Sequence, residues 1–136
     1  MEMMPDYTLE GLEKEVAGFG LGTLLETINK RIEKLLDRDH QIGHSYFLGV
    51  QDEFDLMQVF RDKVIPLLQE YFYGNYERMG MVLGTGFVEK LSEDSVRFAK
   101  FPTEDHEYSD KVIYRLKKAP LSDSDLFAEA LLNLMN

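Results

Sequence analysis

Apolar positions along the chain follow two rhythms, helical over the first two thirds and alternating in the last third. Leu24, Leu25, Ile28, Ile32, Leu35 and Leu36 recur at helical spacing on one face, while Lys30, Glu33 and Lys34 fall on the other. Thr23 followed by Glu26 has the form of a capping box, so the pattern predicts a helix opening at Thr23. Glu26 and Lys30 form an i,i+4 pair in the favourable order, worth only ~0.2–0.5 kcal/mol. The apolar stripe must therefore hold this helix. The polar run Asp37 to Gln41 ends it.

A second stripe, Leu56, Val59, Phe60, Val64, Leu67, Leu68 and Tyr71, predicts a helix from about Phe54 to Phe72. Pro66 cannot donate to the carbonyl of Asp62, which predicts a kink or break near residues 62 to 66. Gly74 and Asn75 stop the helix, and Tyr76 to Leu83 fits a shorter one before Gly84-Thr85-Gly86 turns the chain. The period then changes. Val96, Phe98 and Phe101 alternate with polar residues, as do Val112, Tyr114 and Leu116, which predicts two short strands joined across Pro102 to Asp110. Ser122 with Asp125 three residues on opens a closing helix to about Met135, with Leu126, Phe127, Ala130, Leu131 and Leu134 as its apolar positions. Ahead of Thr23, Pro5 and the glycines Gly11, Gly18, Gly20 and Gly22 surround a short helical stretch from Thr8 to Ala17 and read as a connector. The sum is a mainly α, α+β unit.

Composition narrows the function classes. At 44% hydrophobic residues, the 136 residues suffice for a packed core and argue against global disorder. A net charge of -10, spread without a charged tail, argues against binding nucleic acid through this surface, since that mode needs clustered Lys and Arg. The absence of cysteine removes disulfides, thiolate zinc sites and a cysteine nucleophile, and fits a reducing cytoplasm. No apolar run approaches the roughly 20 residues needed to span a bilayer, and the acidic, proline-containing start is no signal peptide.

Candidate chemistry is sparse. Gly18-Phe19-Gly20-Leu21-Gly22 does not match G-x-G-x-x-G, and no glycine begins G-x-x-x-x-G-K-[ST], so no phosphate-cradling loop is present. His40 and His44 stand four apart beside Asp37 and Asp39, but Gln41 replaces the glutamate of H-E-x-x-H and Gly43 weakens any helix between them. Asp37, Asp39 and His40 instead suit the satisfaction of backbone groups where one helix ends. Gly43-His44-Ser45 combines close backbone approach with an imidazole and a hydroxyl, and a helix beginning just beyond would add N–H groups for an anion. A polar turn anchored by Tyr46 and Phe47 explains the same residues. The aromatics from Tyr71 to Tyr76 fit packing better than base stacking in so acidic a chain. No serine, histidine and acid have a spacing that singles out a triad.

The string Ile28-Asn29-Lys30-Arg31-Ile32-Glu33-Lys34-Leu35-Leu36-Asp37-Arg38-Asp39-His40-Gln41-Ile42-Gly43-His44-Ser45-Tyr46-Phe47 resembles the C-terminal part of McrB-type AAA+ NTPases, motor subunits of modification-dependent restriction systems. Val64 to Tyr73 resembles the same family's next helix, and Glu2 to Asp6 resembles the segment that leaves its α/β core. The likeness covers Met1 to about Gly84 and is only general beyond.

This resemblance implies the helical lid subdomain of an AAA+ ATPase, followed by a short β-hairpin and a C-terminal helix. It divides the chain into a connector from the core over 1–22, the lid over 23–83 and a C-terminal extension over 84–136. The family's Walker loops, sensor asparagine and trans-acting arginines have no counterpart here, so no catalytic or metal-binding residue is expected. GTP or ATP with Mg2+ would be held by the core, not by this chain alone. Gly43, His44 and Ser45 become the expected nucleotide-proximal residues, with Arg38 and Asp39 second. The implied partners are the AAA+ core, neighbouring ring subunits and a McrC-type nuclease subunit, in the cytoplasm and without direct nucleic-acid or membrane contact. Two rivals stand beside it: a free-standing module that binds and modulates AAA+ ring subunits, and a small metal-dependent hydrolase using His40 and His44.

Overall fold

The first helix begins earlier than Thr23. The computed structural model describes Tyr7 and residues 11–91, 98–102 and 112–136; in it α1 spans Leu21–Leu35 with Gly20 as its N-cap and no side-chain cap. Thr23 is thus a helical residue, and the expected capping box does not form. Backbone groups upstream replace it: Leu21 N donates to the Lys14 carbonyl at 3.0 Å and Gly22 N to the Leu12 carbonyl at 2.7 Å. Leu21 is fully buried, and burying a leucine contributes about 1.5–3 kcal/mol against roughly 1 kcal/mol for a cap. The earlier start wins. It also needs Gly22, because a Cβ there would lie 2.6 Å from the Tyr7 carbonyl oxygen.

Residues 11–20 carry structure of their own. Strands β1 (Glu15–Val16) and β2 (Phe19–Gly20) pair antiparallel with Val16 opposite Phe19. Ala17 (φ 54°) and Gly18 (φ 86°) make the two-residue turn, both in the positive-φ form that matches strand twist. This hairpin replaces the end of the helix expected over Thr8 to Ala17, whose residues 8–10 lie outside the described residues. Leu12 and Val16 are buried, so the stretch supplies part of the core.

The second helix runs from α2 (Glu53–Val59) through a π turn (Phe60–Val64) into α3 (Ile65–Tyr71). Asp52 caps it, accepting from Asp55 N at 2.9 Å. The break expected near Pro66 takes the form of this π turn: the wider turn ahead of the ring absorbs the lost N–H and the clash with the preceding carbonyl. Helix α4 (Tyr76–Leu83) follows, capped by Asn75, which accepts from Arg78 N at 3.1 Å. Arg31 of α1 donates to the Val82 carbonyl of α4 at 2.7 Å and ties the two helices together.

The predicted hairpin exists with a different first strand. β3 is Val88–Lys90 and β4 is Tyr114–Leu116, antiparallel with Val88 opposite Leu116. Val96 and residues 103–110 lie outside the described residues, while Phe98 and Phe101 are in no strand and are 68% and 76% exposed. The burial of Phe87 and Val88, rather than alternation alone, selects the strand. The closing helix α5 (Ser124–Met135) is capped by Asp123, whose carboxylate accepts from Asp125 N at 3.0 Å and Leu126 N at 3.2 Å. Ser122 instead donates to the Ala119 carbonyl at 3.4 Å. A carboxylate at the positive end of the helix outcompetes the neighbouring hydroxyl.

Phe60 of the π turn, Phe87 before β3 and Phe127 of α5 meet at ring separations of 5.3, 5.3 and 6.0 Å, and all three are fully buried. Gly86 lets α5 approach, since a Cβ there would lie 2.5 Å from Ala130 Cα. The C-terminal helix therefore closes the same core that α1 to α4 build. Among the described residues no helix is long and apolar enough to cross a membrane.

Candidate functional site

The connection from α1 to α2 gathers every residue that the sequence singles out for function. It contains two single 3-10 turns, Arg38–His40 and His44–Tyr46. Asp37 organises the first: its carboxylate accepts from Asp39 N at 2.9 Å, from His40 N at 3.1 Å and from His40 Nδ1 at 2.6 Å. The His40 ring also meets Tyr71 edge-on at 5.1 Å, which fastens the turn to α3. Asp37 thus satisfies backbone groups of the turn as expected, while the His40 ring bonds the Asp37 carboxylate rather than the backbone. Among the described residues no three His, Cys, Asp or Glu side chains could hold a metal ion together.

The bond from the His40 ring, with the same residue's charge and two backbone N–H groups, holds the Asp37 carboxyl below the usual carboxylate range. A lowered folded-state value stabilises the turn above the ordinary carboxylate range, and that contribution is lost as pH falls through the lowered value. An acid titration followed on the Asp39 and His40 amide resonances should therefore show its midpoint below that of an unstructured aspartate. A midpoint at the ordinary value would mean that the turn does not hold Asp37 in solution.

The second turn is positioned from beneath. Asn29 is the buried polar residue of α1, at 0% exposure, between Leu25 and Ile32 on the apolar face. Its Oδ1 accepts from Ile42 N at 2.6 Å and its Nδ2 donates to the Ile42 carbonyl at 2.9 Å. Ile42, itself fully buried, is thereby fixed immediately before Gly43. Asn29 Nδ2 also donates to the Tyr7 hydroxyl at 3.2 Å. Burial raises the Tyr7 hydroxyl above the ordinary tyrosine value, against the Asn29 bond that lowers it.

Gly43 precedes the second turn with φ -67° and ψ 148°, a conformation open to any residue. A Cβ on it would meet only Ser45 Oγ at 3.8 Å, an ordinary contact. Among the described residues nothing requires glycine there. Gly43→Ala should leave stability within about 0.5 kcal/mol of the parent, measured by urea unfolding. The helix start expected to bind an anion is not formed: the turn has three residues, and Tyr46 N and Phe47 N are taken by the carbonyls of Gly43 and His44. What the turn offers is side-chain chemistry, the half-buried His44 and the exposed Ser45. Arg38 and Asp39 are exposed on the first turn and, among the described residues, make no ion pair. A groove of about 370 Å³ lies beside Ser45 and Tyr46, walled by Asp55, Gln58 and Val59 of α2 and by Asp62 and Lys63 of the π turn.

All five predicted residues therefore lie on one connection. Sequence reasoning passed over Asn29 and Tyr7, which hold it. The available signal was an asparagine within an apolar stripe, since a buried amide must have partners.

Residues 20–80, from the N-cap of α1 into α4, match the family model described as McrB, alpha-helical lid domain. That segment, just under half of the chain, is similar to the lid of McrB-type AAA+ proteins and includes both turns and Asn29. No curated protein matches the chain.

Proposed function

We propose that this McrB-type lid serves a McrB-like AAA+ motor of a modification-dependent DNA restriction system and closes over GTP or ATP held with Mg2+ on an AAA+ core. The carrying observation is the family match over residues 20–80, which takes in the whole polar connection. In this reading residues 1–22 lead from the core, 23–83 are the lid and 84–136 are an extension whose helix α5 completes the lid's packing. The neighbouring ring subunits and a McrC-type nuclease are its further partners, in the cytoplasm.

The residues present fit a lid contact and not a complete nucleotide site. Gly18 and Gly20 belong to the β1–β2 hairpin, and the chain has no glycine-rich phosphate cradle. The core would supply Mg2+ and the phosphate cradle. The lid would contribute His44 as an imidazole donor, Ser45 as a hydroxyl and Arg38 as a fixed positive charge, brought near the nucleotide when the helices move as a unit. Asn29 orients that edge from within the lid. The 136 residues alone should then neither bind GTP or ATP tightly nor hydrolyse them. Turnover by the purified chain without a core, unaffected by His44→Ala, would refute this.

A second reading, a free-standing module that binds and modulates AAA+ ring subunits, draws support from residues 11–20. Their hairpin and the buried Leu12 and Val16 give the chain core packing ahead of α1. Size-exclusion chromatography with an intact McrB-type ring separates the two readings. Co-elution with rings that already carry their own lids favours the module, and its absence favours the lid.

A further inference from the structure

Tyr7 lies before α1 and Ile42 lies after it, yet both hydrogen-bond the same buried side chain, Asn29 Nδ2, at 3.2 and 2.9 Å. Asn29 in turn accepts from Ile42 N at 2.6 Å. Tyr7 is seated twice on α1. Its main chain lies against Gly22, where a Cβ would fall 2.6 Å from the Tyr7 carbonyl, and its hydroxyl reaches Asn29. Residues seven apart lie nearly in line on a helix, so the two seats follow one face of α1.

We propose that Asn29 is a positioning residue that couples the segment entering α1 to the Gly43-His44-Ser45 turn, with Tyr7 as the entering segment's anchor. The inference rests on the lid reading for its functional meaning, but the coupling is a property of this chain. One amide holds both partners only in one rotamer. Holding Tyr7 therefore favours holding Ile42, and loss of either loosens the other, as reciprocity requires. Displacement of the entering segment would then change how firmly the turn presents His44 and Ser45. The Tyr7 hydroxyl is the titratable member of the group; burial holds it above the ordinary tyrosine value, and Glu26, Glu33 and Lys30, the charges that act on it, all keep their charge near neutrality, so the coupling should be constant across neutral pH.

The test is amide hydrogen exchange on the whole 136-residue chain with Tyr7→Phe, Asn29→Ala and the double variant. Tyr7→Phe keeps the ring and removes one hydrogen bond, so exchange at the hydrogen-bonded amides of Ile42, Tyr46 and Phe47 should rise by about five- to tenfold, in line with a typical net hydrogen-bond contribution, while Ile28 and Leu68 keep their protection. In the Asn29→Ala background the same change should have no further effect, because Tyr7 acts through Asn29. Unchanged exchange at Ile42, Tyr46 and Phe47 in Tyr7→Phe overturns the proposal, as does an equal effect of Tyr7→Phe with and without Asn29. Should Asn29→Ala not fold, the Tyr7→Phe result decides alone. Confirmed coupling, with His44→Ala leaving hydrolysis by a motor bearing this lid unchanged, would sink the lid reading and leave the coupling standing.

Discussion

Replacing Phe127 by alanine should destabilise the chain by about 3–5 kcal/mol, the usual cost of emptying a fully buried aromatic site. Phe127 is in ring contact with Phe60 and Phe87, and all three are at 0% exposure. The loss combines transfer of the ring to water with a cavity that α5 cannot readily close. Gly86 already sits against Ala130, where a Cβ would lie 2.5 Å from the backbone. Urea unfolding should show a lower midpoint with little change in slope, and thermal unfolding a melting temperature lower by about 10–20 °C for a domain of this size. Since α5 lies beyond residues 20–80, the result also reports whether the helix shares the core of the segment that matches the lid model. A loss under about 1 kcal/mol would make α5 peripheral.

Asn29→Ala should cost about 3–5 kcal/mol for a different reason. It leaves the N–H and carbonyl of Ile42 without their partner, and each buried orphan costs roughly 1–3 kcal/mol. Asn29→Asp separates the two halves of the interaction. Its carboxylate still accepts from Ile42 N but faces the Ile42 carbonyl with negative charge, whereas the neutral acid can donate to it. Burial would raise the folded-state value of that carboxyl above its unfolded value, so the variant should be most stable in acid and lose stability as pH rises through the raised value. Equal stability of Asn29→Asp across the acid range would show that the Ile42 carbonyl does not depend on this donor.

The helical part of the fold was legible because burial there follows one period. Leu24, Leu25, Ile28 and Ile32 are all buried, and so are Leu56, Phe60, Val64 and Leu68. Boundaries were less legible, since they depend on what lies beyond the helix. Thr23 loses its cap position to the burial of Leu21, and Ser122 loses its own to the carboxylate of Asp123. The strand over Val88–Lys90 was missed because three residues are too few to show alternation, and its place is set by the pairing with β4 and by Phe87. The hairpin before α1 is shorter still.

The candidate site divides along the same line. Gly43, His44, Ser45, Arg38 and Asp39 were legible as polar residues of one connection, partly through a family likeness that residues 20–80 bear out. Asn29 was not, because a side chain that works by bonding residues 22 positions before it and 13 after it leaves no local pattern. Gly43 shows the converse. The glycine was legible, but its φ and its open surroundings give no internal reason for it.

That unexplained glycine leads to the most direct measurement: steady-state GTP and ATP hydrolysis by an assembled McrB-type motor bearing this lid, as parent, Gly43→Ala and His44→Ala. If the turn meets nucleotide or the core beside it, kcat/KM should fall by about tenfold or more in His44→Ala, the equivalent of one lost charge-assisted hydrogen bond, and should fall in Gly43→Ala because the added methyl group obstructs the contact, while Gly43→Ala unfolds at the parent urea midpoint. Hydrolysis at the parent rate in both variants would contradict the account.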